Sequence, residues 1–326
     1  MTASDGVVRA ASAPEDLSPV LVWHPLAEQF RKALRLRIPG IPIETHAGVG
    51  RLRRPSAADV LLAWTLPPGA LDQLPALRWI QVAGAGVDHF LMRDDLRPQV
   101  ELTRSNGRFG LQVAEYVVGY LLHTLLGIED YRRNQDRGVW RQLPRPLLSD
   151  RCIGIIGLGN IGSAIAERLT PFGVQILGVC RTARPVPHVA RVFAKDDWHA
   201  MLPLCDALVV AAPLTTETAG MIDAKAIRAL PTGAILLNVG RGGLLDEIAL
   251  LEALRDGHLG AAILDVFQQE PLPADSPLWT EPRAWVTPHI AGPSEVDPIA
   301  DEFSENYRHF VSDEPLLNRV ERERGY

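Results

Sequence analysis

One stretch limits what this chain can fold into more than any other. Cys152-Ile-Gly-Ile-Ile-Gly157-Leu-Gly159-Asn160-Ile161-Gly162 is an apolar run that closes on G-x-G-x-x-G. Glycine is common here, 27 of 326 residues, so the spacing by itself says little. Its surroundings say more: a strand-like run precedes it, and Ser163-Ala-Ile-Ala-Glu-Arg-Leu169 continues as a helix. In such a strand–turn–helix unit the first glycine makes the turn, the second admits a pyrophosphate to the backbone, and the third seats the helix on the strand. The helix N-terminus then offers free N–H groups and partial positive charge to phosphates. An ordinary glycine-rich turn is the alternative, and it would need none of this context. The reading is a dinucleotide turn made by Gly157, Gly159 and Gly162, with Asn160 and Ile161 between them.

The pattern around that turn is βα repetition. Before it, Pro19–His24, Ile41–His46, Asp59–Trp64 and Leu77–Val82 read as buried strands, with a helix over Leu26–Leu36. A long amphipathic helix is expected from Gly110 to about Arg133, since Leu111, Ala114, Val117, Val118, Leu121, Leu122 and Leu125 recur at three- and four-residue steps. Gly138–Pro146, with Trp140, reads as a connector. After the turn come strands at Gln175–Cys180, Ala207–Ala211, Ala234–Val239, Ala261–Val266 and Trp285–Thr287, then a helix over Glu295–Val311. Six strands from Cys152 onward make one doubly wound unit. The fold class is therefore α/β in two domains: a Rossmann parallel sheet over residues 107–292, and a smaller flavodoxin-like α/β domain from residues 1–106 and 293–326.

Composition narrows the class of function. Thirty-three basic residues against 39 acidic give a net charge of −6, which argues against nucleic acid as a main partner. Cys152, Cys180 and Cys205 sit in or beside strand-like runs with no metal-ligand spacing, so they read as buried reduced thiols and no metal is expected. Met1–Ser18 lacks the apolar core of a signal peptide and reads as a frayed first segment. No apolar run approaches the ~18 residues that span a bilayer. These features together predict a cytoplasmic protein without a membrane partner.

The second strand of the unit decides which dinucleotide is preferred. An acid at its end would bond the ribose 2′-hydroxyl of NAD. Here the strand ends in Arg181-Thr182-Ala183-Arg184, and no Asp or Glu occurs between Gln175 and Lys195. Arginine pairs with a 2′-phosphate and threonine can donate to it, so NADP(H) is expected ahead of NAD(H), through Arg181, Thr182 and Arg184. The competing view makes Arg181 and Arg184 solvated loop arginines.

Three later segments carry a resemblance: Asn238-Val239-Gly240-Arg241-Gly-Gly243, Leu264-Asp265-Val-Phe-Gln-Gln-Glu270-Pro271, and Thr287-Pro-His289-Ile-Ala-Gly292. With Pro213-Leu-Thr-Thr-Glu-Thr218-Ala-Gly220 and Gly84-Ala-Gly-Val-Asp88, they resemble the ordered signatures of the D-2-hydroxyacid dehydrogenase family over nearly the whole chain. Within it, Gly110-Leu-Gln112, the Arg181–Thr182 pair, Ser276-Pro-Leu-Trp279 and the terminal Arg-Gly-Tyr are most similar to the NADPH-dependent glyoxylate/hydroxypyruvate reductase A type. Gly292-Pro293-Ser294 departs from the family pattern where the pocket lip is expected.

The chemistry follows from the residue types. Reducing a 2-keto acid needs a cation for the carboxylate and carbonyl, a proton donor for the nascent alkoxide, and a hydride donor. Arg241 suits the first role and His289 the second, while Glu270 would hold the other ring nitrogen of His289. Taken singly, each has a bland reading: a capping or surface arginine, a solvated loop acid, a satisfied loop histidine. It is the ordered trio that argues for catalysis. The resemblance further implies that Asp265 positions the nicotinamide carboxamide and that Pro213, Thr218, Val239 and Gly240 touch the cofactor. It also implies that Ala85 and Gly86 receive the substrate carboxylate, with Trp64 and Leu66 along the pocket wall. Asp88 reads as a turn residue and Trp140 as a packing anchor at the dimer or domain junction.

The site would lie in a cleft between the domains, and the apolar face of the Gly110–Arg133 helix resembles the family's dimer surface, so a homodimer is expected. Formate dehydrogenases resemble this scaffold but carry Gln in place of the acid, so Glu270 speaks against formate oxidation. Two alternatives stay open here. Phosphite oxidation could keep the whole trio. A dinucleotide-sensing corepressor would need no such trio.

Overall fold

The structure, a computed structural model, describes residues 18–326. Apart from Ser18, the expectations for the first segment lie outside the described residues. The chain divides into two compact units, one ending at Ser105 and resuming over Glu295–Val320, the other made of Asn106–Ser294 and Glu321–Tyr326. The last six residues therefore pack with the second unit, whereas the sequence reading put the whole tail with the first. Their turn explains the difference, because Gly325 lies against Thr215 of the second unit.

The first unit runs β1 (Val20–Trp23), α1 (Ala27–Arg37), β2 (Ile43–His46), β3 (Val60–Ala63), β4 (Trp79–Val82), α2 (Asp88–Leu91) and β5 (Glu101–Arg104). Its sheet is parallel throughout, in the order β2-β1-β3-β4-β5, the flavodoxin-like order. β5 went unseen in the sequence, where Glu-Leu-Thr-Arg carries charge at both ends. It is the last strand of the sheet, its outer side met only by the short antiparallel bridge of Thr103 to Arg319, so a long apolar run is not required of it.

The second unit opens with the long helix, but in two pieces. α3 (Phe109–Leu125) and α4 (Ile128–Asp136) meet at a 53° bend, where a single helix to Arg133 was expected. Gly127 sits at φ 56°, ψ 41°, a left-handed conformation that breaks the hydrogen-bond ladder and that glycine adopts without a Cβ penalty. Among the described residues no single helix is long and apolar enough to cross a membrane.

There follow β6 (Cys152–Ile156), α5 (Asn160–Leu169), β7 (Gln175–Val179), β8 (Arg191–Phe193), β9 (Ala207–Val210), α6 (Ala224–Ala229), β10 (Ala234–Asn238), α7 (Glu247–Arg255), β11 (Leu259–Leu264) and β12 (Ala284–Val286). The chain then returns to the first unit as α8 (Val296–Val311), which packs beside α1. The second sheet has seven parallel strands, β12-β11-β10-β9-β6-β7-β8, one more than expected because β8 is a three-residue edge.

Its order reverses between β9 and β6, and open α/β sheets place their ligand crevice at such a switch point. Apolar side chains fill both faces. Leu208, Leu236, Ala262 and Leu264 face the layer of α6 and α7, while Ile153, Ile155, Val209, Leu237 and Ile263 face α3 and α5. Near-continuous apolar strands are what a sheet covered on both sides demands.

Candidate active site

Because every strand of the second sheet runs the same way, all its C-terminal ends lie along one crest. The glycine turn follows β6 and Arg181 follows β7. Arg241, Glu270 and His289 follow β10, β11 and β12 in turn. One unit thus gathers the candidate catalytic residues and the candidate cofactor residues.

The turn fulfils its steric expectations. Gly157 has φ 96°, and a Cβ there would lie 2.8 Å from the Ala211 carbonyl group at the end of β9. A Cβ on Gly162 would lie 2.0 Å from the Gly157 oxygen, so the helix sits directly on the turn. Around Gly159 nothing lies within 4 Å of the corresponding position, which leaves its backbone open to an approaching ligand. Gly159 caps α5, whose first residue is Asn160, exposed; Ile161 is half-buried.

Arg181, Thr182 and Arg184 are exposed beyond β7. Space supplies an acid that the local sequence did not. Glu217, in the loop after β9, stands 3.7 Å from the Arg181 guanidinium and accepts a 3.1 Å bond from Lys195 Nζ. The hydrogen bond and charge of Lys195, aided by Arg181, hold the Glu217 carboxyl below the ordinary carboxylate range. In the same loop Thr218 Oγ1 donates to the Pro213 carbonyl at 2.7 Å and accepts the Thr215 N–H at 2.8 Å. The described bonds of Thr218 thus close the loop on itself.

On the other half of the crest, His289 Nδ1 and Glu270 Oε2 are 2.8 Å apart. Glu270 Oε1 accepts the Phe267 N–H at 3.0 Å. Burial pushes the Glu270 carboxyl up, but the bonds from His289 and Phe267, with the charges of His289 and Arg241, outweigh it and hold the group below its ordinary value. His289 itself has φ 54°, uncommon for a residue with a Cβ, and its N–H reaches the carbonyls of Asp265 at 2.9 Å and Thr287 at 3.0 Å.

Arg241 is set by Asn238, a fully buried amide at the end of β10. Its Nδ2 donates to the Arg241 carbonyl at 3.0 Å and its Oδ1 accepts the Gly240 N–H at 3.2 Å. Arg241 Nη1 donates to the Gly240 carbonyl at 2.8 Å, and Val239 is buried beneath. At Gly242 a Cβ would fall 1.8 Å from the Phe267 carbonyl carbon. Only glycine lets the Arg241 loop touch the backbone of the Glu270 loop there.

Asp265, expected at the nicotinamide, is also bonded to the loop that carries His289. Its carboxylate, 1% exposed, turns into the His289 loop. Oδ1 accepts from Thr287 Oγ1 at 2.6 Å and from the Ile290 N–H at 2.8 Å, and Oδ2 accepts the Ala291 N–H at 2.9 Å. The Tyr116 hydroxyl on α3 continues the chain by donating to Thr287 Oγ1 at 2.6 Å, and burial pushes that phenol well up. Asn238, Thr287 and Tyr116 were not anticipated as site residues. A lone polar residue closing an apolar strand was the available signal for Asn238.

In the first unit, Trp64 and Leu66 follow β3, and Ala85 and Gly86 follow β4. The Trp64 ring covers Gly84, where a Cβ would lie 1.9 Å from it, and the Trp64 carbonyl accepts from His89 Nε2 at 2.6 Å. Leu66, Ala85 and Gly86 are half-buried.

Comparison with known proteins agrees with this architecture. Residues 118–291 match the model of the D-isomer specific 2-hydroxyacid dehydrogenase NAD binding domain. A glyoxylate/hydroxypyruvate reductase A of Salmonella choleraesuis is 35% identical over 275 residues, 82% of this chain and 88% of its own. Two solved structures each superpose with a TM-score of 0.88 over 95% of this chain and all of theirs. One is a D-isomer specific 2-hydroxyacid dehydrogenase from Xanthobacter autotrophicus Py2 in complex with NADPH and MES, 34% identical. The other is an NADPH-dependent glyoxylate/hydroxypyruvate reductase from Sinorhizobium meliloti in complex with NADP and sulfate, 32% identical. With the matched model covering more than half its length and the Salmonella relative most of it, the chain belongs to the D-isomer specific 2-hydroxyacid dehydrogenase family.

Proposed function

We propose that the protein is an NADPH-dependent reductase of small 2-keto acids, glyoxylate and hydroxypyruvate among them, giving the D-2-hydroxy acid. The observation that carries the proposal is the His289–Glu270 pair at 2.8 Å, placed with Arg241 on the same strand crest as the glycine turn. The open backbone at Gly159 fits a pyrophosphate, and the Arg181–Thr182 end of β7 fits a 2′-phosphate. When bound, the reduced nicotinamide supplies the hydride.

The chain's own residues do the rest. Arg241 binds the substrate carboxylate and polarises the keto oxygen, so the negative charge developing there meets a fixed cation. His289, with Glu270 on Nδ1, presents Nε2–H and delivers that proton to the nascent alkoxide. Glu270 fixes the ring orientation and offsets the positive charge of the protonated imidazole. Asp265, through Thr287, Ile290 and Ala291, holds the loop that carries His289. Trp64, Leu66, Ala85 and Gly86 are assigned to the substrate side.

The test is steady-state oxidation of NADPH and NADH with glyoxylate, hydroxypyruvate and larger keto acids, with phosphite and formate run against NADP in the opposite direction. His289→Gln should lose about 10²–10⁴-fold in kcat, the usual worth of a general acid. A variant that keeps the wild-type rate removes His289 from the chemistry.

A homodimer and a cytoplasmic location complete the reading. Ala114, Val117 and Leu121 of the expected helix face lie in the unit's own core, whereas Leu126, Ile128, Val139, Trp140 and Leu147 are exposed along and after the α3–α4 bend, where a second copy would cover them. Three unpaired cysteines suit a reducing compartment. A sedimentation profile showing only monomer at micromolar concentration would remove the dimer.

A further inference from the structure

The Arg181 guanidinium is held by segments remote from its own strand. Glu217 faces it at 3.7 Å, and the ring of Tyr326 lies with its centroid 5.4 Å from Cζ. Both partners are seated on the loop that follows β9. Glu217 belongs to that loop, which Thr218 pins through Pro213 and Thr215. Tyr326 reaches it through a turn in which the Tyr326 carbonyl accepts the Glu321 N–H at 3.2 Å and the Gly325 N–H reaches the Glu321 carbonyl at 3.1 Å. Gly325, at φ 80°, lies so near Thr215 that a Cβ there would come within 3.0 Å of the threonine methyl. The tail and the loop thus place an aromatic face and a carboxylate around one cation.

We propose that Tyr326 is a positioning residue for the cofactor: its ring holds the Arg181 guanidinium where a 2′-phosphate meets it, so the final turn of the chain sets the preference for NADP(H) over NAD(H). This rests on reading Arg181 as the 2′-phosphate contact. A guanidinium within about 6 Å of a ring centroid is attracted to the ring's negative face. Confinement of a long side chain before binding reduces what must be ordered when the phosphate arrives. NAD(H) has no 2′-phosphate, so it gains nothing from the arrangement.

The experiment is calorimetric titration of the full chain with NADPH and with NADH, in wild type, Tyr326→Ala, Tyr326→Phe, Arg181→Ala and the Arg181→Ala/Tyr326→Ala double variant, with melting curves to compare folding. The expected result is a two- to fivefold weaker NADPH affinity in Tyr326→Ala, about what an exposed cation–π contact contributes. NADH affinity stays unchanged, Tyr326→Phe behaves as wild type, and Tyr326→Ala adds no further loss in the Arg181→Ala background. Equal losses for both nucleotides would mean that the ring serves the nucleobase, and would overturn the proposal. So would a Tyr326→Phe variant as weak as Tyr326→Ala, or an unchanged Tyr326→Ala beside an Arg181→Ala that loses NADPH. If Arg181→Ala binds both nucleotides as wild type does, the Arg181 reading fails and the proposal with it.

Discussion

Replacing Asp265 by alanine separates two accounts of that residue. Its carboxylate is almost fully buried and accepts three hydrogen bonds, from Thr287 Oγ1, the Ile290 N–H and the Ala291 N–H. The threonine hydroxyl can rotate toward another acceptor. The two backbone N–H groups cannot, and leaving each without a partner costs about 1–3 kcal/mol. For the two together that is about 2–6 kcal/mol, and water entering the vacated volume brings it into the lower half, so the expected loss is about 3 kcal/mol. For a unit of this size each kcal/mol lowers Tm by about 2–4 °C, which predicts a fall of roughly 6–12 °C. The His289 N–H keeps the Asp265 carbonyl as its acceptor, so the loop stays tethered at one point and loosens beyond it. The assays are thermal unfolding and steady-state kinetics, in which kcat should fall more than the cofactor affinity. A variant that melts within a degree or two of wild type, yet binds NADPH poorly, would refute this account and return Asp265 to the nicotinamide.

Further outcomes follow from the same geometry. Glu270→Gln removes the charge that supports a protonated imidazole, so reduction should fade at lower pH than in wild type, and an unmoved pH–rate profile would count against the pair. The Glu270 carboxyl lies below its ordinary value in the folded chain, so its contribution to stability is present above the ordinary carboxylate range and is lost as pH falls through the lowered value. His24, 6% exposed, accepts the Leu26 N–H on Nδ1, and burial lowers it from 6.5 to about 4. The unfolded chain then binds the proton first, so about 3 kcal/mol of stability present above pH ~6.5 should drain away toward pH ~4. Denaturant titrations of His24→Asn should show a flatter pH dependence. Gly159→Ala should leave Tm unchanged while weakening NADPH binding, because its Cβ points into open space. Gly162→Ala should lower Tm, because its Cβ meets the Gly157 oxygen. Matching Tm values in the two would contradict the steric account of the turn.

What could be read in the sequence is what short-range pattern encodes. The apolar strands β6, β7, β9, β10 and β11, the glycine turn, and the order in which Arg241, Glu270 and His289 follow their strands all show locally. β5 and β8 escaped because an edge strand needs little apolar surface. The break at Gly127 escaped because one glycine within a helical pattern does not announce its φ. The bonds of Asp265 to the His289 loop were not legible because a sequence gives a residue's place on a strand but not the direction of its carboxylate. Glu217 and Tyr326 reach Arg181 from other strands and from the tail, and such partnerships exist only once the sheet order is set.

The contact at Gly242 has a mechanical consequence. Two loops that meet through side chains can drift whenever those side chains change rotamer. Here the Arg241 loop rests on the Phe267 carbonyl with no side chain between them, so the separation of the guanidinium segment from the carboxylate segment is set by van der Waals contact of backbone on backbone. The contact acts as a spacer between charge and proton donor that a change of side-chain rotamer in the neighbouring loops does not alter.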